Sequence, residues 1–488
     1  MSGLLYQLLL NCQKFDILVE NLGTTSLQTY NRFEMGDKLD VLIEWLASSN
    51  EFYLSENVTV VETKGSGRGL RLRSREIKCH QAVISVPESR QLNFHTVLKH
   101  LAMFNKHLKD MGGIYDSEVT DLVDHDDPRF MAYGIFDQDS VMKLTSFQLL
   151  TLYILFEWVI LSHWNFRGIV SFWQPFFNVF PEDGDFRSIP CRWLCDSDSQ
   201  HRTLFNKLPK ATQDHAFRIK TLLENDWHVL LPYLLKWQKL FTENGSPVFT
   251  LDETYERFLH IYFIINSRCL YMDISEKSDA ADKFTMVPFV DFLNHAPEVN
   301  KFCQPRQNSR KLKNSAFIIE CGPYAYRNLH EELFLNYGAH SNDFLMNEYG
   351  FVLKENNWNY LDVTADVETL VIDKEYKDFL IEKDYWGDLT IAFEFISFRL
   401  LVTVALLASK DVRKVEKFIL GFIGEDSFQP GLNAVLHQLL CSLNEQVVKK
   451  REDIKTLSQC DEWCLENVLT IYQGYEKIII HHLESRRP

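Results

Sequence analysis

Hydrophobic residues recur along this chain in two rhythms, and the rhythm switches several times between the ends. Leu39, Leu42, Trp45 and Leu46 fall at helical spacing and predict a helix over 38–47. The pattern then shortens to that of strands. Val58, Val60 and Val61 precede a glycine cluster, Lys64-Gly65-Ser66-Gly67-Arg68-Gly69-Leu70, and Ala82-Val83-Ile84-Ser85-Val86 is closed by Pro87. From about 89 to 266 the apolar spacing is helical again, clearest over 96–108, 146–162, 213–240 and 254–265. An irregular stretch rich in Pro, Asp and Phe interrupts it at 171–190. Strand-like runs return at 286–289, 316–320 and 332–336. Beyond Phe351 and a short mixed segment, the spacing predicts long helices over 391–408, 412–423, 432–449 and 463–483.

The β segments on either side of the helical block are too short to bury a face separately, because an isolated hairpin is marginal in water. They are expected to join in one domain with the helical block inserted between them. The fold class predicted is α+β: a β-rich domain made of residues 38–88 and 267–352, split by a helical insertion over 89–266. An all-helical domain over 353–488 follows it, and residues 1–37 form an N-terminal extension. No internal repeat or low-complexity tract is present in the 488 residues.

Composition narrows the class. With 46% hydrophobic and 13% aromatic residues the chain can build a sizeable core, and its length predicts two to four domains. A net charge of −16 excludes a broad nucleic-acid-binding surface, which must neutralise phosphates. It suits a basic partner, although acidic charge serves solubility alone equally well. Ten cysteines in a chain of this size read as reduced, intracellular thiols. The pairs Cys191/Cys195 and Cys460/Cys464 have no further Cys or His at a structural-zinc spacing, so no metal site is predicted.

The start of the chain, 1–12, is apolar but lacks the basic region and cleavage site of a signal peptide. Two longer apolar runs, 147–164 and 391–409, are broken by Gln148 and Glu157 and by Glu394 and Arg399. Both read as core helices rather than membrane spans, so no membrane partner is predicted. No long basic run marks a nuclear signal, Arg486-Arg487 being too short, which leaves cytoplasm and nucleus both open.

Three segments carry chemistry. In Gly65-Ser66-Gly67-Arg68-Gly69-Leu70, glycines permit close backbone approach to a ligand; taken alone, the segment reads first as a tight turn. No Gly-Lys-Ser/Thr follows, so it is not a phosphate-binding loop. In Val287-Pro288-Phe289-Val290-Asp291-Phe292-Leu293-Asn294-His295, the polar trio after an apolar strand reads as metal ligands, a cofactor site or satisfied turn residues. The third runs from Glu331-Glu332-Leu333 through Tyr337-Gly338 and Ser341-Asn342 to Tyr349-Gly350-Phe351. Its Tyr337 is either a core aromatic or a phenol at the mouth of a channel.

In this order and spacing the three segments resemble the SET domain, and more narrowly the split-SET group typified by the Rubisco large-subunit lysine methyltransferase. That group includes fungal ribosomal-protein lysine methyltransferases and the animal actin-histidine methyltransferase. The resemblance extends from about Lys38 to the end of the chain and includes Ser171-Phe172-Trp173-Gln174-Pro175 in the insertion. It implies an S-adenosylmethionine-dependent protein-lysine N-methyltransferase whose helical C-terminal domain binds protein substrate. Gly67, Arg68, Gly69 and Leu70 would contact the cofactor through backbone. Arg268 would bind its carboxylate, Asp291, Asn294 and His295 would form the Asp-x-x-Asn-His cofactor motif, and Phe351 would pack on adenine. Tyr337 would be the catalytic tyrosine and Tyr349 an aromatic of the lysine channel. His330 departs from the family by standing where a glycine is usual, and the basic loop 303–314 has no assigned role.

The implied reaction needs a neutral amine, whereas free lysine has a pKa near ~10.4, so the channel must desolvate the ammonium. No strong general base is required. The client implied by the fungal members is a ribosomal protein. A translation factor, a cytochrome c lysine or an actin histidine is the alternative client, and a catalytically silent SET binding module the alternative role.

Overall fold

The computed structural model describes residues 32–486 apart from 64–66, 109–126, 164–167, 244–248, 273–276, 278–282, 297, 299, 307–315 and 458. The leaderless reading of 1–12, Gly65 and Ser66 of the glycine cluster, and most of the basic loop 303–314 fall outside these residues. The chain divides into two compact units. One comprises Met1–Asp185 with Thr221–Gly338, and the other Phe186–Lys220 with Ala339–Pro488. This division cuts through the helical block read from the sequence, since 186–220 group with the C-terminal part of the chain.

The first unit holds eleven strands among its described residues. Before the helices come β1 (Tyr53–Leu54), β2 (Val58–Thr63), β3 (Gly67–Leu72), β4 (Ala82–Val86) and β5 (Leu92–Asn93). After them come β6 (Leu270–Tyr271), β7 (Phe284–Met286), β8 (Asn294–His295), β9 (Cys303–Pro305), β10 (Phe317–Cys321) and β11 (Glu332–Leu335). The main sheet runs β1-β4-β10-β9-β11-β3-β2 with β8 beside β11, and β5-β7-β6 form a small second sheet. Strands from either side of the helical block therefore interleave, as the shortness of each set requires. Alternation is plain in β10, where Phe317, Ile319 and Cys321 are buried between half-buried Ile318 and Glu320.

Register is what assembles the site. Strand β11 pairs antiparallel with β3, Glu332 opposite Arg71 and Leu333 opposite Leu70. On its other side it runs parallel to β8, Phe334 opposite Asn294 and Leu335 opposite His295. Residues of all three motifs, remote from one another in the chain, thus become neighbours on adjacent strands.

Helices of the first unit start where capping chemistry allows. Asn93 accepts from the Thr96 N–H at 3.0 Å to open Phe94–Phe104, and Thr250 accepts from Glu253 N–H at 3.2 Å to open Leu251–Arg268. The run Ser146–His163 is helical, with a π-helical turn at Leu155–Ile160 that the 3.6-residue rhythm did not foretell. It is long and apolar enough to cross a membrane, yet 72% of it is buried inside the protein. Its Glu157 is 2% exposed and accepts a hydrogen bond from the Tyr133 hydroxyl.

The strand read at 286–289 ends instead at Met286. Pro288 has no N–H for a ladder, and Phe289 turns the backbone with φ 68° into the short 3₁₀ turn Val290–Phe292. The helix read at 391–408 is two elements. Strand β13 (Thr390–Ala392) pairs with β12 (Tyr360–Asp362), and the helix begins only at Phe398, where Ser397 Oγ accepts from the Leu400 N–H at 3.3 Å. The C-terminal part is consequently helical with a two-stranded ribbon, not all-helical. Its core packs Leu400, Leu406, Leu436, Leu440, Val468 and Ile479 from the helices Phe398–Ser409, Gly431–Lys455 and Glu462–Ser485.

Candidate active site

The glycines of β3 come first because they set how closely the strands approach. Gly67 has φ 67°, is exposed and, among the described residues, has nothing within 4 Å of an added Cβ, as befits a turn residue. Gly69 is different. A Cβ there would lie 2.6 Å from Glu332 Oε1 and 3.1 Å from Asn294 Nδ2, so only glycine lets β3 lie against that pair. Leu70 points its side chain into the core, fully buried, which leaves its backbone for any ligand contact. The Arg68 guanidinium sits 5.5 Å over the Phe292 ring and donates to the Val179 carbonyl.

Arg268 is the last residue of the helix Leu251–Arg268, and this position delivers its side chain to the turn after β7. Its Nη1 donates to the Asp291 carbonyl at 2.7 Å and contacts the Asp291 carboxylate at 3.2 Å. Asp291 is 2% exposed at its side chain, and burial raises its pKa against the pull of Arg268 and Arg68. Burial and the nearby Arg268 lower that of Arg68 in turn. Among the described residues, two buried atoms here have no hydrogen-bond partner, Arg268 Nε and Asp291 Oδ1. A donor and an acceptor left open in one buried turn, beside two guanidinium groups and one carboxylate, fit the ammonium and carboxylate of an amino-acid headgroup.

Tyr337 follows β11, and three interactions fix it. Its hydroxyl donates to the Leu293 carbonyl at 2.8 Å and its N–H to His295 Nδ1 at 3.2 Å. Its ring stacks on the His295 imidazole at 5.1 Å between centroids. Burial, with Asp291 and Glu332 nearby, pushes the phenol up to about 12 despite Arg268. It is therefore a neutral hydroxyl at physiological pH. Asn294 gives its Nδ2 hydrogen to Glu332 Oε1 at 2.8 Å. Gly67 through Leu70, Arg68, Arg268, Asp291, Asn294, His295 and Tyr337 all belong to the first unit.

Tyr349 and Phe351 belong to the second unit, where their rings lie 6.0 Å apart across Gly350. Gly350 ends the helix Asn342–Tyr349 with φ 78° and donates to the Met346 carbonyl at 3.1 Å. The Ser341-Asn342 pair of the same motif is used structurally. Ser341 caps that helix, and Asn342 exchanges hydrogen bonds with the Leu353 backbone at 2.8 and 3.1 Å. At His330 the backbone takes φ 67°, the conformation that glycine adopts most cheaply.

Comparison with known proteins decides the lineage. Ribosomal lysine N-methyltransferase 2 of Saccharomyces cerevisiae is 42% identical over 478 residues, covering 92% of this chain and 99% of that protein. The chain belongs to the ribosomal lysine N-methyltransferase family. The family model for the C-terminal domain of ribosomal lysine N-methyltransferase 2 matches residues 359–485. SET domain-containing protein 4 of Mus musculus is 26% identical and covers 59% of this chain and 64% of that one. Among solved structures, the SET domain of LSMT bound to lysine and AdoHcy aligns with a TM-score of 0.55 at 15% identity, over 93% of this chain and 91% of that one. The fold of this ribosomal lysine N-methyltransferase family member is thus the SET fold with a helical C-terminal region.

In this family member Glu332 takes part in the site as well. In the sequence Glu332 is one member of the Glu-Glu-Leu run; in the fold it holds Asn294 and is the group that excludes a side chain at Gly69. The signal was the second acidic residue two positions from Phe334, on the strand that also pairs with Asn294. The contact between Arg68 and the Val179 carbonyl spans 111 residues of sequence and has no local signature. Among the described residues no cluster of three or more His, Cys, Asp or Glu stands where it would hold a metal.

Proposed function

We propose that this SET-family protein transfers a methyl group from S-adenosylmethionine to the side-chain amine of a lysine in a ribosomal protein. The observation that carries the reading is the likeness to the yeast ribosomal lysine N-methyltransferase over nearly its whole length. When bound, S-adenosylmethionine supplies a methyl group already activated on a sulfonium. The protein's own residues must then bind, orient and desolvate.

Arg268 and Asp291 would hold the amino-acid end of the cofactor, a role supported by the two open buried atoms in their turn. The backbone of Gly67–Leu70, with Asn294 and His295, would line the rest of that pocket, and Phe351 would pack on the adenine. Tyr349 would belong to the lysine channel. Tyr337 has a phenol held at the Leu293 carbonyl, which keeps its proton and leaves oxygen lone pairs to orient the amine or the methyl. A hydroxyl that titrates near 12 is a positioning group and not the base that takes the lysine proton. Water can carry that proton away once the amine is aligned. A cytoplasmic or nuclear setting suits such a client, and the acidic chain complements basic ribosomal proteins.

The reading is tested by incubating the purified protein with radiolabelled S-adenosylmethionine and an extract lacking the endogenous enzyme, then separating the products. A labelled band of ribosomal-protein size, traced by mass spectrometry to methyl-lysine, is expected. Cofactor binding without a labelled band would point to a silent binding module, and absence of cofactor binding would overturn the assignment.

A further inference from the structure

Glu332 and Asn294 form a pair whose chemistry is directional. A carboxylate only accepts hydrogen bonds, so the Asn294 atom 2.8 Å from Glu332 Oε1 must be the amide nitrogen. The two ends of a carboxamide are opposite in kind. Committing Nδ2 to Glu332 forces Oδ1, an acceptor, to be the end that Asn294 keeps for anything else. No described residue donates to that oxygen. The pairing is also sterically locked, because Glu332 stands on β11, one strand from β8, and faces Arg71 across β3 with Nη2 3.7 Å from Oε2. The missing Cβ of Gly69 leaves the space the carboxylate occupies. A free asparagine rotates its amide by 180° at little cost and can present either a donor or an acceptor; this one cannot.

We propose that Glu332 is a positioning residue that fixes the orientation of the Asn294 amide, so that the site reads an N–H donor of the cofactor and rejects a molecule lacking it. The inference rests on the S-adenosylmethionine reading above and adds to it the residue that sets the hydrogen-bond sense of the pocket. The cofactor has two such donors, the α-amino group and the adenine 6-amino group, and the test separates them.

Binding of S-adenosylhomocysteine is measured by calorimetry beside two analogues, one without the α-amino group and one without the purine 6-amino group. In the wild-type protein one analogue is expected to bind at least roughly tenfold more weakly, the loss of one charge-assisted or buried hydrogen bond. In Glu332→Leu the amide is released, and the same penalty is expected to shrink below about threefold, with Glu332→Gln intermediate because its amide accepts in only one of two orientations. A merely structural role for Glu332 would weaken all three ligands alike and leave the penalty intact, which overturns the proposal. Wild-type protein that binds both analogues as well as the parent overturns it too. Wild-type protein that fails to bind S-adenosylhomocysteine at all removes the cofactor reading itself, a separable outcome. Should Glu332→Leu not fold, Gly69→Ala displaces the same carboxylate from the other side and must give the same loss of discrimination.

Discussion

The imidazole of His295 and the phenol of Tyr337 stack at 5.1 Å, and the same imidazole accepts the Tyr337 N–H at Nδ1 over 3.2 Å. An Nδ1 that accepts carries no hydrogen, so the proton of the neutral ring resides on Nε2. The histidine of the Asn-His motif therefore orients the tyrosine through both backbone and ring. The parallel register of Leu335 with His295 brings the two together.

Tyr337→Phe tests what the hydroxyl adds once that scaffold is kept. The ring can still stack on His295 and the N–H still bonds to Nδ1, but the hydrogen bond to the Leu293 carbonyl is lost. Methyl transfer is expected to fall by about 10²-fold or more, the usual scale for removing one preorganised polar group from a reacting centre. Affinity for S-adenosylhomocysteine should stay within about threefold, since the change removes no net charge. Single-turnover transfer of radiolabel, with calorimetry on the same preparations, checks both.

The pH dependence follows from the same residue. Tyr337 titrates near 12 in the fold against about 10 for a free phenol, so its neutral form is favoured by folding. Its contribution to stability is complete below about 10 and is lost as pH rises from there towards 12, where the unfolded chain binds fewer protons than the folded one. Activity should accordingly rise with pH as the lysine amine deprotonates, with no falling limb due to Tyr337 below pH ~10. The profile of residual activity in Tyr337→Phe should have the same shape as the wild type, and a midpoint moved by more than about one unit would assign the proton to the phenol after all.

Much of this could be read from residue order, and the exceptions share a cause. Strands β2 and β4 and the helix Leu251–Arg268 follow local rhythm and capping residues. The motifs named Arg268, Asp291, Asn294, His295 and Tyr337, and the sheet register brings Asn294, His295 and the strand leading to Tyr337 together. What the rhythm could not reveal depends on partners remote in sequence. The run from Ile391 looks helical until Tyr360–Asp362 offers it a ladder, although Ser397 marked the true helix start. Phe289 takes a positive φ, with its ring 5.3 Å from Phe292 and 6.2 Å from Phe52, the latter remote in sequence. Glu332 acquires its meaning only from a glycine on one neighbouring strand and an asparagine on the other.

Arg268 and Asp291 are held together by a direct contact, which makes them interdependent for stability. Arg268→Ala leaves the buried Asp291 carboxylate without its direct partner, a change expected to cost about 3 kcal/mol. Asp291→Asn in the same background removes the stranded charge, so the double variant should recover at least roughly 1 kcal/mol of that loss. Urea denaturation of the wild type, the two single variants and the double variant completes the cycle. Strict additivity would show that the pair seen at 3.2 Å contributes no coupling.

His330 provides a change in the opposite direction. Its φ of 67° strains a side chain with a Cβ, and His330→Gly removes that strain while keeping the hydrogen bond from the backbone N–H to the Leu72 carbonyl at 2.8 Å. The strain relieved should exceed the added freedom of the unfolded chain, giving a gain of roughly 0.5 kcal/mol. The variant should methylate as the wild type does, and a loss of stability in urea would mean that the His330 side chain has contacts worth more than its strain.

Gly350 and Gly67 offer the sharpest contrast, because they share a left-handed backbone and differ in their surroundings. At Gly67 an added Cβ meets nothing within 4 Å among the described residues, so Gly67→Ala should cost only the backbone strain, about 1 kcal/mol. At Gly350 the Cβ would stand 3.1 Å from both Ser188 Oγ and Ile189 Cγ1, while the carbonyl of the same residue accepts from the Ser188 hydroxyl. Strain and crowding then add, and Gly350→Ala should cost about 2 kcal/mol or more. Gly350→Asn distinguishes the two terms, since asparagine tolerates the left-handed region but carries the same Cβ. If it is nearly as harmful as alanine, packing against Ser188 and Ile189 dominates; if it is close to wild type, the backbone conformation does. Because Tyr349 and Phe351 flank this residue, Gly350→Ala should also lose methyl transfer at temperatures below its unfolding midpoint.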